Sequence, residues 1–243
     1  MITRWPRPTR ASATWLPMKP APPVTQIREL MPGDLLDRRT LAAAPVLRRE
    51  FYQRPTVEVA HDLLGKLLVR RCREGTVAMR LVEVEAYLGP ADPACHTYGG
   101  RRTRRVATMW GEAGHAYVYL IYGVHHCLNL VTVGGGAGEA VLVRGAAVVH
   151  GKDLVRRRRG PGVAERSLTD GPGKLGQALA ISLADDGRDL CDTRSGLWLC
   201  DDGVRIGPRW RTSGPRVGVG SAGEAADWPL RFKVTRGAPG EPS

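Results

Sequence analysis

The sequence is poor in several features that would place it in other classes of protein. Phenylalanine occurs only twice, and aromatic residues make up 6% of the chain. The five cysteines are odd in number, show no CxxC spacing and follow no secretory signal. This pattern argues against a disulfide framework and favours a reducing cytosol.

Acidic residues are also scarce relative to basic ones. The chain has 24 Asp and Glu against 36 Lys and Arg, which gives a net charge of +12 and a pI near 10.1. Such an excess favours a polyanionic partner, although a solvated basic surface would give the same balance.

No stretch of the chain reads as a membrane span. Residues 113–138 lack charged side chains and are long enough to cross a bilayer. However, they contain His115, His125, His126 and Asn129, which hydrocarbon would leave unsatisfied. We interpret the stretch as two strands joined near Gly123, and expect no membrane association.

The length of 243 residues and the near-average composition predict one globular domain with tails. Residues 1–32 hold seven of the eighteen prolines and no acid before Glu29, which predicts a disordered basic tail. It could be a nucleic-acid-binding arm or an arbitrary upstream extension. The domain is expected over 33–237, with a flexible C-terminus at 238–243.

Periodicity predicts an α+β fold with a mainly antiparallel sheet, because strand runs follow one another through turns and helices lie at the ends. Helices are predicted at 44–53, 56–65 (capped by Thr56), 151–159 and 172–182. Strands are predicted at 66–72, 77–88, 116–122, 125–133 and 139–149, with short apolar pieces at 197–200, 215–219 and 230–234 closing the sheet. The arginines at the end of 151–159 are interpreted as a solvated face.

The strand at 77–88 carries two carboxylates on one predicted face. Strict alternation puts Met79, Leu81, Glu83, Glu85 and Tyr87 on the same side. Residues 89–111 follow as a long Gly-, Pro- and Arg-rich loop, which in a compact domain is typical of function.

Tyrosine is concentrated in one part of the chain. Five of the six tyrosines lie between Tyr87 and Tyr122, next to the basic loop. Such rings suit base stacking or wedging into a duplex, and ordinary strand packing is the alternative.

Five colinear blocks resemble the alkyladenine, or 3-methyladenine, DNA glycosylase family, over about residues 50–236. They are LVEVEAYLGPADPACHTYGGRRT (81–103), HAYVYLIYGVHHCLN (115–129), AVLVRGA (140–146), DGPGKLGQAL (170–179) and PRVGVGSAGE (215–224). The resemblance implies a monofunctional base-excision enzyme that flips a damaged purine nucleotide out of duplex DNA and hydrolyses its N-glycosidic bond. It implies no metal or organic cofactor.

The same resemblance implies a single domain with a curved sheet and a protruding β-hairpin that approaches double-stranded DNA from the minor-groove side. It implies a monomer located in the cytoplasm, on the nucleoid if the chain is bacterial. The preferred lesion among the alkylated and deaminated purines is left open.

Glu85 matches the family's general base. Hydrolysis at an anomeric carbon requires a carboxylate that accepts the proton of water and balances developing positive charge. Glu83 is the rival carboxylate, and a supporting or ion-pair role is expected for it. Arg144 matches a residue that the family places beside the nucleophilic water.

The resemblance also implies a base pocket and a DNA contact surface. Tyr87, His96 and Tyr119 match the pocket walls, where aromatic faces would favour a cationic alkylated purine. Asn129 matches a residue that obstructs the amine of guanine, and Val217 an apolar lining position.

Three further residues match positions that contact DNA. Tyr122 matches the wedge that fills the vacated space, and Arg101 and Lys174 match positions near the backbone. His125 and Ala107 depart from the family, which has an aromatic and a basic residue there.

Two other classes of function are open to the sequence. A metal site could use histidines and cysteines such as His96, His115 and Cys127, but adjacent His125 and His126 would point to opposite faces of a strand. A non-catalytic DNA-binding or damage-sensing module on the same fold is the second alternative.

Overall fold

Eight strands form one curled antiparallel sheet in the part of the chain that the structure, a computed structural model, describes: Leu36 and residues 38–235. The strands are β1 (Leu67–Cys72), β2 (Gly75–Tyr87), β3 (Ala116–Ile121), β4 (His125–Thr132), β5 (Glu139–His150), β6 (Leu197–Cys200), β7 (Arg211–Gly214) and β8 (Arg231–Val234). Helices α1 (Arg38–Ala43), α2 (Arg49–Tyr52), α3 (Thr56–Leu63), α4 (Lys152–Arg159) and α5 (Pro172–Ala178) flank the sheet. The α+β prediction is confirmed. The predicted tails at 1–32 and 238–243 lie outside the described residues.

The long strand β2 organises the sheet. The order of hydrogen-bonded strands is β3-β4-β5-β2-β1-β6. In addition, β8 pairs with β2, and β7 pairs with β8. One edge of β2 pairs with β5, whereas its other edge pairs first with β1 and then, over residues 83–85, with β8. This change of partner along β2 accompanies the curl of the sheet and brings the segment after β7 towards Glu85.

The predicted alternation along β2 is wrong. Register shifts between β2 and β5 fall at Leu81/Glu83 and Glu83/Val84. A bulge there reverses which alternate residues face the core. Met79 and Leu81 therefore join the same main core as Val84 and Ala86, while Glu85 and Tyr87 point to the opposite side of the sheet.

Two hydrophobic clusters lie on opposite faces of β3 and β4. The main core packs α3, α4 and α5 against residues such as Val118 and Leu128. A smaller cluster contains Tyr117, Val131 and residues of the 89–111 segment, including Met109. That segment, predicted as an irregular loop, contains 3₁₀ turns at Gly89–Ala91, Tyr98–Gly100 and Arg104–Trp110, and the smaller cluster fastens it to the sheet.

The N-terminal helices differ from the prediction. The predicted helix 44–53 is reduced to α2, because the chain before it is extended: Val46 bridges Cys200 and the Leu47 N–H donates to Leu199 O. Thr56 does not cap α3. It is the first residue of the helix, and its hydroxyl contacts the side chains of Thr132 and Glu139 instead.

The arginine run at the end of α4 is not simply a solvated face. Arg158 donates to Ala178 O and pairs with Glu74, and Arg159 donates to Leu168 O. These side chains join α4 to α5 and to the β1–β2 turn, and Arg157 remains exposed.

The glycines of the 170–179 block serve close packing of α5 on β4. A Cβ at Gly176 would overlap the carbonyl oxygen of His126, and one at Gly173 would lie 2.8 Å from Cγ of His125.

The predicted strand at 215–219 is wrong: β7 ends at Gly214, and the segment that follows is a loop.

Candidate active site

A cavity of about 420 Å³ opens between β2, β3 and β4, the 89–111 segment, the start of α5 and the 217–219 loop. It lies on the side of the sheet that carries the smaller cluster. Eight of the residues singled out from the sequence line it: Tyr87, His96, Tyr119, Tyr122, Asn129, Arg144, Lys174 and Val217.

Glu85 lies immediately behind this lining. Its side chain is fully buried and is absent from the cavity surface. The backbone N–H of Val217 donates to its Oε1 at 2.8 Å, and the hydroxyl of Tyr87 donates to its Oε2 at 2.9 Å. Both donors belong to residues that line the cavity, so the carboxylate is one contact away from it.

The electrostatic environment of Glu85 is mixed. Burial raises the pKa of its carboxyl above the ordinary value, because desolvation disfavours the charged form. Arg144 and the hydrogen bonds from Val217 and Tyr87 oppose that rise in pKa. A buried carboxyl with a shifted pKa beside a cavity is typical of a functional site.

Arg144 joins the two carboxylates of β2. Its Nε donates to Oε1 of Glu83 at 3.1 Å and lies 3.4 Å from Oε1 of Glu85. Arg231 approaches Glu83 from β8 at 3.6 Å. Glu83 is thus held between two guanidinium groups, as an ion-pair partner, whereas Glu85 is the carboxylate behind the cavity wall.

Aromatic rings form one wall of the cavity. The rings of His96 and Tyr119 meet edge to face with centroids 4.5 Å apart, and Tyr117 lies 5.6 Å from Tyr119. The Tyr117 hydroxyl is 2.8 Å from Nδ1 of His96. Burial, followed by nearby Arg105 and Arg101, lowers the pKa of His96, which favours the neutral imidazole.

Tyr117 also lines the cavity, whereas the sequence singles it out only as one of the clustered tyrosines. The side chains of Tyr117 and Tyr119 share a strand face, and that alternation was the available signal.

A second missed feature is a buried ion pair beneath Tyr87. Arg216 and Asp92 form a bidentate pair with both side chains fully buried. The Arg216 guanidinium lies 4.8 Å from the centre of the Tyr87 ring. Both residues occur within the motif blocks. Charged residues in loops are usually exposed, so the sequence alone does not predict that these two are buried.

Asn129 lies on β4 opposite Tyr117. Its Nδ2 donates to the carbonyl oxygen of Tyr117 at 3.1 Å, and the side chain is 4% exposed. This hydrogen bond fixes the orientation of the amide at the cavity surface.

The turn between β3 and β4 presents Tyr122 to solvent. Its side chain is 85% exposed, and neighbouring Val124 is also exposed. Tyr122 has a φ of 53°, which residues with large side chains adopt rarely, and Gly123 follows with a φ of 73°. The turn places the Tyr122 ring at the rim of the cavity.

The two predicted backbone contacts differ in their surroundings. Lys174 lines the cavity but forms an ion pair with Asp170 at 2.7 Å. Arg101 is exposed outside the cavity and begins a basic stretch with Arg102, Arg104 and Arg105. Of these arginines, Arg101 and Arg105 lie close enough to lower the pKa of His96 in the cavity lining.

The histidines and cysteines considered as metal ligands do not assemble. In Leu36 and residues 38–235, no group of three or more His, Cys, Asp or Glu side chains could hold a metal ion.

Over the same residues, no helix has the length and apolar character needed to cross a membrane.

Comparison with known proteins identifies the family of the chain. The model of the methylpurine-DNA glycosylase family matches residues 50–238. A protein of Methanocella arvoryzae is 45% identical over 203 residues, covering 81% of this chain and 99% of its own. A protein of Burkholderia cenocepacia is 44% identical, and the match covers 81% of this chain and 93% of that protein. A protein of Streptomyces avermitilis is 42% identical, and the match covers 75% of this chain and 85% of that protein. All three carry the provisional name 3-methyladenine DNA glycosylase.

The family match and these relatives place the chain among the DNA glycosylases, hydrolases that act on N-glycosyl bonds. Within that class, the chain belongs to the methylpurine-DNA glycosylase family.

Proposed function

We propose that this protein flips alkylated or deaminated purine nucleotides out of duplex DNA and hydrolyses their N-glycosyl bond. The damaged base is released and an abasic site remains. The observation that carries the proposal is a fully buried Glu85 directly behind a cavity walled by aromatic rings.

The base would enter the cavity between the ring of Tyr87 and the wall formed by the rings of His96 and Tyr119. Enzymes that act on a base must take it out of the stack, and aromatic side chains can then hold its faces. Tyr122, at the exposed turn, would occupy the vacated space from the minor groove. The basic stretch 101–105 would contact phosphates.

Glu85 would act as the general base. Water attacks C1′ as the C1′–N bond breaks, the bonding electrons leave with the base, and Glu85 accepts the proton of the water. A cationic alkylated base then departs as a neutral molecule, whereas neutral hypoxanthine departs as an anion that takes up a proton from solvent. Arg144 and Val217 both line the cavity and both contact Oε1 of Glu85. A water held against them would be adjacent to that oxygen.

Selectivity would come from charge and shape together. Methylation of a purine at N3 or N7 leaves the base cationic, and aromatic faces attract cations. Asn129, with its amide oriented by Tyr117, would obstruct the exocyclic amine of undamaged guanine. In 7-methylguanine, which keeps that amine, the attraction of the cationic base to the aromatic faces would offset the obstruction.

The test is single-turnover base release from duplexes that contain one hypoxanthine or one 7-methylguanine, with undamaged duplex as the blank. Glu85→Gln keeps the shape of the side chain but cannot take the proton, so its release rate should fall by about 10² to 10⁴. Lesion-duplex binding should persist in this variant.

Glu83→Gln is the matched control on the same strand and should retain most of the turnover. Release of hypoxanthine by Glu85→Gln at the wild-type rate would remove Glu85 from the mechanism. DNA binding without release by the wild-type protein would instead favour a non-catalytic damage-sensing module.

A further inference from the structure

The buried Asp92–Arg216 pair has a position that the proposed chemistry does not use. The two side chains are fully buried, and neither lines the cavity. Tyr87 does line it, and the Arg216 guanidinium packs on the ring of Tyr87. The ring therefore separates this guanidinium from the space where a base would lie.

We infer that Asp92 neutralises the Arg216 cation behind Tyr87 and thereby sets the preference of the pocket between cationic and neutral bases. The inference rests on the proposed function. It makes Asp92 and Arg216 specificity-determining residues that act through Tyr87, without touching the substrate.

The electrostatic argument concerns the two faces of one ring. The electron density of an aromatic ring attracts cations to both of its faces. A cation on one face therefore weakens the attraction of a second cation to the other face. An unpaired Arg216 would also repel a cationic base directly, and the buried surroundings would screen this repulsion little. A neutral base would feel neither effect strongly.

The geometry of Asp92 suits complete neutralisation. Its Oδ1 accepts from Arg216 at 2.8 Å and from the backbone N–H of Ala94 at 3.0 Å. Its Oδ2 accepts from Arg216 and from the N–H of Leu88 at 3.0 Å. These contacts hold the carboxylate against the guanidinium in a bidentate arrangement, which is the strongest form of this ion pair.

The pair also connects two parts of the cavity wall. Asp92 precedes Ala94, Cys95 and His96, whereas Arg216 precedes Val217. A purely structural role would therefore affect the release of every base alike. A role in specificity would change the ratio of the rates for cationic and neutral bases.

The experiment compares single-turnover release of 7-methylguanine, which is cationic, with release of hypoxanthine, which is neutral. Asp92→Asn leaves the Arg216 charge uncompensated, so the ratio of the two rates should fall by about 3- to 30-fold, the range of cation–π attraction. The double variant Asp92→Asn with Arg216→Met removes both charges and should restore the ratio towards the wild-type value.

Asp202→Asn is the matched control. Asp202 forms a buried bidentate pair with Arg80, away from the cavity wall. This variant should lose stability to a similar extent while the ratio stays unchanged.

An unchanged ratio in folded Asp92→Asn would overturn the inference, as would a double variant that fails to restore the ratio. If Asp92→Asn does not fold while the double variant does, the pair serves stability alone. A wild-type protein that releases neither base would instead overturn the proposed function, and the two failures are thus distinguishable.

Discussion

The two halves of β2 both bury charged side chains, but the charges are compensated differently. In the first half, Arg80 donates to Asp202 at 3.0 and 2.6 Å and to the carbonyl of Gly65 at 2.7 Å. In the second half, Glu85 shares Arg144 with Glu83, and burial raises the pKa of Glu85. The first arrangement is a one-to-one pair, and the second is a pair of carboxylates that share a cation.

The difference separates a structural ion pair from a chemical group. A buried carboxylate paired with its own guanidinium contributes to the architecture. A carboxylate that is desolvated, shares its cation and lies behind a cavity is poised to change its protonation. Substitutions in the two halves of β2 should therefore have different effects.

The largest effect is expected at the Arg80–Asp202 pair. Asp202→Asn leaves the Arg80 cation buried without a charged partner, which typically costs about 3–5 kcal/mol of the free energy of unfolding. Urea denaturation at neutral pH would measure the loss. Base release per folded molecule should be unchanged, and a specific loss of turnover would show that the two halves of β2 are coupled.

A smaller effect, on activity alone, is expected at the rim of the cavity. Tyr122→Asn removes the exposed ring, while asparagine tolerates the positive φ at this position. Loss of a stacking group worth about 1–3 kcal/mol should slow release from a fully paired duplex, and much less from a mismatched one. Leu183→Asn, at an exposed apolar residue that does not line the cavity, is the control. Equal losses on both duplexes would contradict the wedge.

The smallest effect is a change in the pH dependence of stability at Glu85. Its raised pKa means that the folded state binds the proton more tightly than the unfolded state. As pH rises from the pKa of the carboxyl in the unfolded chain to its higher pKa in the folded chain, the carboxyl therefore lowers the free energy of unfolding.

Glu85→Gln removes this penalty, so the variant should be more stable than the wild type at neutral pH. The advantage should shrink towards acid pH, below the unfolded pKa of about 4.3. Thermal unfolding across this range is the measurement, and a Glu83→Gln series is the control. A wild-type protein that stays more stable at neutral pH would contradict the sign.

Local patterns predicted most of the elements. The strands β1, β3, β4, β5, β6 and β8 and the helices α3 and α4 lie within two residues of their predicted bounds, because hydrophobic periodicity and turn residues are local signals. The helix predicted over 172–182 is shorter, since α5 ends at Ala178. The helix predicted at 44–53 failed because Leu47 makes a backbone hydrogen bond with a distant strand residue, Leu199. That pairing depends on tertiary structure.

Local periodicity and colinear blocks are enough to predict the class of fold, the family resemblance and the set of candidate residues. The direction in which each candidate side chain points depends on long-range pairing and is visible only in the folded chain. The bulge in β2 turns Glu85 away from the main core, and Arg216, remote in sequence, pairs with Asp92 beneath Tyr87. Both outcomes arise from pairing between segments far apart in the chain, which no local pattern encodes.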